Sequence, residues 1–332
     1  MHNGSHRPGA KALRYIDLFC GIGGFRQAME NLARDFGIAS QCVFSSDIDK
    51  HCRASYAANF GDTPAGDITQ VNEQEVPKHD LLLAGFPCQP FSIIGQRRGF
   101  DDTRGTLFFD IARILKAQKP RAFVLENVRL LVGHNKGQTL QRILETIHEL
   151  GYEHQYRVLN ALDFGLPQKR QRVFIVGYQP GVQFNWPEAG AAMKPLAELL
   201  EREVDRKYYA SDHIRNRRYS QIEPQKELLM WHENKSGQVC ARPWCHALRA
   251  GASYNYLLVN GERRLTPREM FRLQGFPDSY RIVSKDWTAR KQAGNSVPVP
   301  VVQAVIRAVC EAHGWMGPDQ IKSISRNARV RL

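Results

Sequence analysis

Between Leu13 and Tyr178, short apolar runs rich in β-branched and aromatic residues alternate with segments whose apolar positions recur at helical spacing. The runs LRYIDLF, CVFSS, DLLLAGF, AFVLENV and RVFIVGY read as strands, with FRQAMENLARDF, HCRASYAANF, TLFFDIARILKAQ and TLQRILETIHEL as the helices between them. This alternation predicts an α/β fold, a doubly wound and mostly parallel sheet with helices on both faces. Ligands of such sheets sit at the carboxyl ends of the strands, so the residues just after each strand are where chemistry is sought.

After Gly177 the periodicity fades. Pro187, Pro195, the run RNRRYS at 215–220 and the mixture WHENKSGQVCARPWCHALRAGASYNY predict a second, smaller, irregular and basic domain over 184–263. LTPREMFRLQGF then predicts a helix with Thr266 as N-cap, Pro267 at its first position and Gly275 near its end. VPVPVVQAVIRAVCEAH predicts a last helix that packs back on the first domain. The expected divisions are a flexible N-terminus at 1–12, a catalytic domain at 13–183, the irregular domain at 184–263, helices at 264–320 that complete it and return to the first domain, and a basic tail at 321–332.

Composition narrows the partner. At 332 residues and 42% hydrophobic content the chain can bury a full core, and a net charge of +13 with a pI near 9.5 favours a polyanion, since Lys and Arg gain by displacing counterions from phosphates. The seven cysteines are odd in number and scattered, which excludes a small disulfide scaffold and fits a reducing compartment. The N-terminal MHNGSHRPGAKALR has no apolar core before a cleavage site, and no uninterrupted apolar run approaches membrane-spanning length. A cytoplasmic protein without a membrane partner is expected.

Two sites follow strands. In the first, Asp17-Leu18-Phe19-Cys20-Gly21-Ile22-Gly23-Gly24-Phe25 puts glycines at a strand-to-helix turn, where a ligand can approach the backbone. Arg26 stands where a dinucleotide fingerprint would need another glycine, and Asp47 at the end of the second strand is placed to accept from ribose hydroxyls. A glycine turn or an exposed Asp alone is equally a plain structural device. In the second, Gly85-Phe86-Pro87-Cys88-Gln89-Pro90-Phe91-Ser92 brackets a cysteine with two prolines after DLLLAGF, a setting that suits a presented nucleophile. Most lone cysteines are buried small hydrophobes. Here, however, Glu126 in AFVLENV and the cluster Gln168-Lys169-Arg170-Gln171-Arg172 would bring carboxyl and guanidinium groups to the same edge.

In order along the chain, DLFCGIGGF, SSDID, GDI at 66–68, GFPCQPFS, ENV, QKRQR, RRLTPRE and GNSVPVP make it resemble the DNA cytosine-5 methyltransferases of bacterial restriction-modification systems. The resemblance covers nearly the whole chain. It implies the Rossmann-like fold of S-adenosylmethionine-dependent methyltransferases and makes 184–263 the family's variable target-recognition domain. Cytosine carbon 5 is too weak a nucleophile to take a sulfonium methyl unaided, so the resemblance assigns Cys88 to attack at carbon 6 and Glu126 to ring nitrogen 3. Arg172 is implied to hold the cytosine carbonyl oxygen and Asn127 to orient the site, while Arg170 or Arg172 beside the thiol would favour the thiolate.

For the cofactor, S-adenosylmethionine, the resemblance implies that Phe19, Gly21, Ile22, Gly23 and Gly24 cradle the methionine portion, Asp47 binds ribose and Ile48 covers adenine. Asp67 and Ile68 lie near the adenine, Pro87 near the sulfonium, and Asn295, Ser296 and Val297 return to the pocket. Ile48 departs from the large aromatic common among relatives, and Ile94 from a small polar residue found in some. A paired base is out of reach, so the cytosine must leave the duplex. The segment 93–105, IIGQRRGFDDTRG, suits a lid, with Gln89, Ser92, Arg97, Arg98 and Arg104 as the DNA contacts.

The expected substrate is double-stranded DNA at a short, palindromic sequence, methylated by a monomer with no obligate protein partner. A tRNA cytosine methylase and a silent DNA-binding relative are the alternatives. Cys240, Cys245 and His246 lack a second well-formed pair, so no metal is expected. His51 and His148 read as helix-surface residues, and Trp231, Trp244, Tyr254 and Tyr256 as either base contacts or filling of a small core.

Overall fold

The computed structural model describes residues 12–87 and 107–316. Its first half is an alternation of strands and helices: β1 (Leu13–Leu18), α1 (Gly24–Phe36), β2 (Ser40–Ser46), α2 (Lys50–Phe60), β3 (Leu81–Gly85), α3 (Leu107–Gln118), β4 (Ala122–Val128), α4 (Gln138–Glu149), β5 (Glu153–Asn160), β6 (Gln168–Lys169) and β7 (Gln171–Tyr178). The main sheet has the order β2-β1-β3-β4-β7-β5, parallel from β2 through β4.

Its strands alternate between two cores, as a period of two requires. Tyr15, Leu81, Leu83, Val124, Phe174 and Val176 face the layer that includes Ala28, Met29 and Leu32 of α1. Ile16, Leu18, Leu82, Ala84, Phe123, Leu125 and Ile175 face the layer of α3 and α4. Buried on both faces, β1, β3 and β4 show the near-continuous apolar runs that made them readable.

One strand breaks the parallel pattern. β7 runs antiparallel to both β4 and β5. Only a single 3-10 turn, Ala161–Asp163, and the two-residue β6 separate β5 from β7, and without a crossover helix the chain returns in the opposite direction. β5 itself escaped the sequence reading, because at the sheet's edge only Leu159 of EHQYRVLN is buried and no apolar run results.

The second half has more regular structure than its sequence suggested. It contains α5 (Leu196–Leu199), α6 (Asp212–Tyr219), β8 (Met230–Glu233), β9 (Val239–Arg242), β10 (Cys245–His246) and β11 (Leu257–Val259), followed by α7 (Pro267–Leu273), α8 (Asp286–Asn295) and α9 (Val299–Ala312). β11, β8 and β9 form an antiparallel sheet, while β10 pairs in parallel with β6. Trp231 and Tyr256 fill the core of this half, whereas Tyr254 is exposed.

Thr266 caps α7 with a complete capping box closed by Glu269, and Pro267 opens the helix. The buried Glu269 also takes two hydrogen bonds from Arg263, at 2.8 and 2.9 Å. α9 returns to α1, where Asn31 donates to Gln303 at 3.2 Å, and Val301, Val302, Val305 and Ile306 share the core with Leu32. By length and composition, residues Asp286–Ala312 would suffice to cross a membrane, which the sequence reading had not anticipated, yet 67% of the apolar window is buried within the fold.

Candidate active site

The carboxyl ends of β1 to β4 converge. After β1 the chain turns sharply: Phe19, Gly21 and Gly23 all adopt positive φ, at 53°, 53° and 81°. At Gly23 a Cβ would lie 2.2 Å from the Phe60 ring, so the turn needs glycine on both counts. Gly24 is constrained by space alone, a Cβ there falling 2.5 Å from Val297 Cγ2, which brings the C-terminal GNSV segment against the loop. Tyr280 fixes the same contact by donating to the carbonyl of Ile22 at 2.8 Å.

Asp47 braces the loop from β2. Its carboxylate accepts from Gly21 N–H and Asp49 N–H, both at 2.8 Å, and burial, only partly opposed by these bonds, raises its pKa. Ile48 beside it is 72% exposed, an apolar side chain free to cover a planar group. Asp67 accepts from Thr69 N–H at 3.0 Å, and Ile68 is buried below it. Asn295 is exposed, Ser296 half-buried and Val297 buried at the opposite wall.

Glu126, near the end of β4, is 7% exposed and meets Arg172 Nε of β7 at 2.9 Å. Burial raises the Glu126 pKa, with Arg172 and then Arg170 opposing, and burial likewise lowers that of Arg172 against the attraction of Glu126. Desolvation thus outweighs attraction on both partners and keeps the carboxyl closer to a proton than a surface glutamate. Asn127 donates to the Phe86 carbonyl at 3.0 Å and accepts from Val128 N–H at 2.8 Å, which clamps the chain just ahead of Pro87. Pro87 itself is exposed.

Arg170 is differently employed. It is 1% exposed, and its guanidinium donates to the carbonyls of Leu248 at 2.8 Å, Gly294 at 3.0 Å and Ser296 at 2.5 Å. The structure gives it the part of a latch between the second half of the chain and the GNSV segment. Cys88, Gln89, Ser92, Ile94, Arg97, Arg98 and Arg104, and with them the 93–105 segment, lie outside the described residues.

The family model for C-5 cytosine-specific DNA methylase matches residues 13–311. The chain belongs to this family. It is 52% identical over 298 residues to Type II methyltransferase M.NgoBI of Neisseria gonorrhoeae, covering 89% of this chain and 92% of that relative. Identity to M.HaeII of Haemophilus aegyptius is 49% over 298 residues, with the same coverage. Among solved structures, the Dnmt2 methyltransferase of S. pombe superposes with a TM-score of 0.69 over 90% of this chain and 98% of that one, and at 22% identity this bears on the fold alone. The protein is a C-5 cytosine DNA methyltransferase of the restriction-modification type.

The family's methyl donor is a sulfonium, and its amino-acid portion also carries an ammonium group. The residues present fit such a ligand. Asp17, at the floor of the glycine loop, is fully buried, and neither carboxylate oxygen has a well-formed hydrogen bond, the backbone N–H of Arg26 acting on it only weakly. Burial is the main cause that moves its pKa from 3.8 to about 8, with Asp47 adding and Arg26 opposing. An orphaned acid under an open loop is the environment a cationic ligand relieves. The motif around Asp17 assigns it no role, although a lone acid inside the apolar run LRYIDLF is itself the signal. Gln168 is a second omission: fully buried, it donates to Leu273 O at 2.7 Å and accepts from Leu248 N–H at 3.1 Å.

Proposed function

We propose that the enzyme methylates carbon 5 of a flipped-out cytosine in a short double-stranded DNA sequence through a covalent bond between Cys88 and carbon 6. The observation that carries this is the buried Glu126–Arg172 pair at the end of β4, at 2.9 Å, beside the strand that leads to Cys88. S-adenosylmethionine, when bound, supplies the electrophilic methyl group; Asp17, Asp47, Asp67, Ile48 and the glycine loop would hold it, with Asn295, Ser296 and Val297 closing the far wall.

The thiolate of Cys88 adds to carbon 6, and the electron pair displaced toward nitrogen 3 is accepted as Glu126 delivers or shares a proton there. A carboxyl biased toward its protonated form by burial is suited to that step. Arg172 keeps Glu126 oriented and offers its remaining N–H donors to the cytosine carbonyl oxygen. Asn127 fixes the backbone before Cys88. After methylation, loss of the carbon 5 proton returns an electron pair to the ring and expels Cys88 as thiolate.

The net charge of +13 supports a duplex partner, and residues 184–263 are where we place sequence reading. Action as a cytoplasmic monomer that protects host DNA from a cognate nuclease completes the reading. The test is incubation with S-adenosylmethionine and unmethylated duplex DNA of diverse sequence, followed by base-resolution mapping of 5-methylcytosine. Methylation confined to one motif, abolished by Cys88→Ser while DNA binding persists, is expected. Retained methylation in that variant overturns the nucleophile, and modification of tRNA in place of DNA overturns the substrate.

A further inference from the structure

Among the described residues outside the active site, one cluster of side chains has metal-binding chemistry. His232 of β8 and Cys240 of β9 are directly paired across the antiparallel ladder, so their side chains share a face of the small sheet. His246 of β10 joins them: its Nε2 lies 3.7 Å from Cys240 Sγ, and its ring stacks on that of His232 with centroids 3.9 Å apart. One ligand atom from each of the three lies within 4.8 Å of the other two, and all three residues are half-buried. The sequence alone did not reveal this, because Cys240, Cys245 and His246 offer no second pair, and His232 enters only through strand register.

We propose that His232, Cys240 and His246 bind a borderline-soft transition-metal ion of the Zn2+ class, leaving a fourth position open to water. The geometry supports it. With a metal–sulfur bond near 2.3 Å and a metal–nitrogen bond near 2.05 Å, a tetrahedral site requires a sulfur-to-nitrogen edge of about 3.6 Å. The observed Cys240–His246 separation of 3.7 Å already meets that requirement. The imidazoles, now inclined by 20°, must rotate out of their stack so that both lone pairs converge. A nitrogen–thiolate donor set selects this class over Mg2+ or Ca2+, which take oxygen. Lys169, Arg242 and Arg249 surround His246, so the thiolate's charge is needed to make a dication acceptable there.

The ion would have a structural consequence. β10 pairs with β6 through Cys245 with Gln168 and His246 with Lys169. A metal held by all three ligands therefore ties β8 and β9 to the strand that runs into Arg170 and Arg172.

Titration of the full-length, metal-free protein with Co2+ tests it. One equivalent is expected to produce a near-ultraviolet sulfur-to-cobalt charge-transfer band with tetrahedral d–d absorption; Cys240→Ser loses that band and Cys88→Ser keeps it. A second readout needs no variant: Zn2+ raises the melting temperature of the wild-type protein, and excess chelator returns it to the metal-free value. Absence of the band, or a band that survives Cys240→Ser, overturns the proposal, as does a melting temperature that Zn2+ leaves unchanged.

Discussion

Asp17→Asn is expected to stabilise the cofactor-free enzyme at neutral pH while weakening its hold on the cofactor. The carboxyl is fully buried, has no well-formed hydrogen bond on either oxygen and is pushed by burial from 3.8 to about 8. In the unfolded chain it ionises near its ordinary value. Between the two values the folded state holds the extra proton, so stability falls as pH rises. The contribution is intact below about pH 4, where the group is protonated folded and unfolded alike, and declines until pH approaches 8. The slope from this single group approaches about 1.4 kcal/mol per pH unit, so the wild-type enzyme loses about 3 kcal/mol from it between pH 5 and pH 7. The variant has no proton to lose, and its amide is no worse satisfied than the protonated acid it replaces. Its stability should therefore exceed that of wild type by roughly 4 kcal/mol at pH 7 and converge with it toward pH 4. Urea denaturation at several pH values, with the m-value constant, measures both profiles. Parallel profiles, or a variant less stable at pH 8, would refute the linkage. Calorimetry of S-adenosylmethionine binding provides the complement: at pH 7 the wild-type enzyme should release a proton on binding, and the variant should not.

Glu126→Gln removes the acid but leaves an amide facing Arg172, and is expected to lower kcat by about 10²- to 10⁴-fold with DNA affinity retained; an unchanged kcat would remove Glu126 from the proton step. Arg170→Lys deprives three buried carbonyls of a planar donor and should cost about 3 kcal/mol in denaturant unfolding, whereas a loss below about 1 kcal/mol would deny the latch. At Gly294 an added Cβ would lie 2.4 Å from Ala250 N and 2.8 Å from Arg249 C, both backbone atoms that cannot swing aside. Gly294→Ala should therefore destabilise by about 1–3 kcal/mol and shift the 249–250 backbone, an effect to be read as a lowered melting temperature and relaxed discrimination in the methylation map.

What the sequence disclosed and what it hid divide by burial. β1, β3 and β4 lie inside a covered parallel sheet, and their apolar runs announce them; α1 and α4 show their buried stripes just as openly. β5 is mostly wet and β8 to β11 are two to four residues long, too short for a period to register. Thr266 was readable as a cap because capping is local chemistry, fixed within four residues. The roles of Asp17, Gln168 and Arg170 were not, since each is set by partners from distant segments. Arg170 makes this concrete: its motif suggests a charge for the active site, and only the positions of Leu248, Gly294 and Ser296 turn it into a latch.

That latch ties the second half of the chain to the strand that carries Arg172. Gln168, Arg170 and Arg172 stand at alternate positions where β6 runs into β7, and the first two share Leu248 as a partner. Gln168 holds Leu248 and α7, Arg170 holds Leu248 and the GNSV segment, and Arg172 holds Glu126. Leu248 lies two residues beyond β10, in the half of the chain we assign to DNA reading. Any displacement of Leu248 must either carry Arg170 with it or break a charged hydrogen bond at a fully buried site, and the second course costs more than a surface contact returns. Arg172 is itself paired with Val128 of β4 and Leu159 of β5, so the contact between Leu248 and Arg170 joins the second half of the chain to the strand that holds the partner of Glu126.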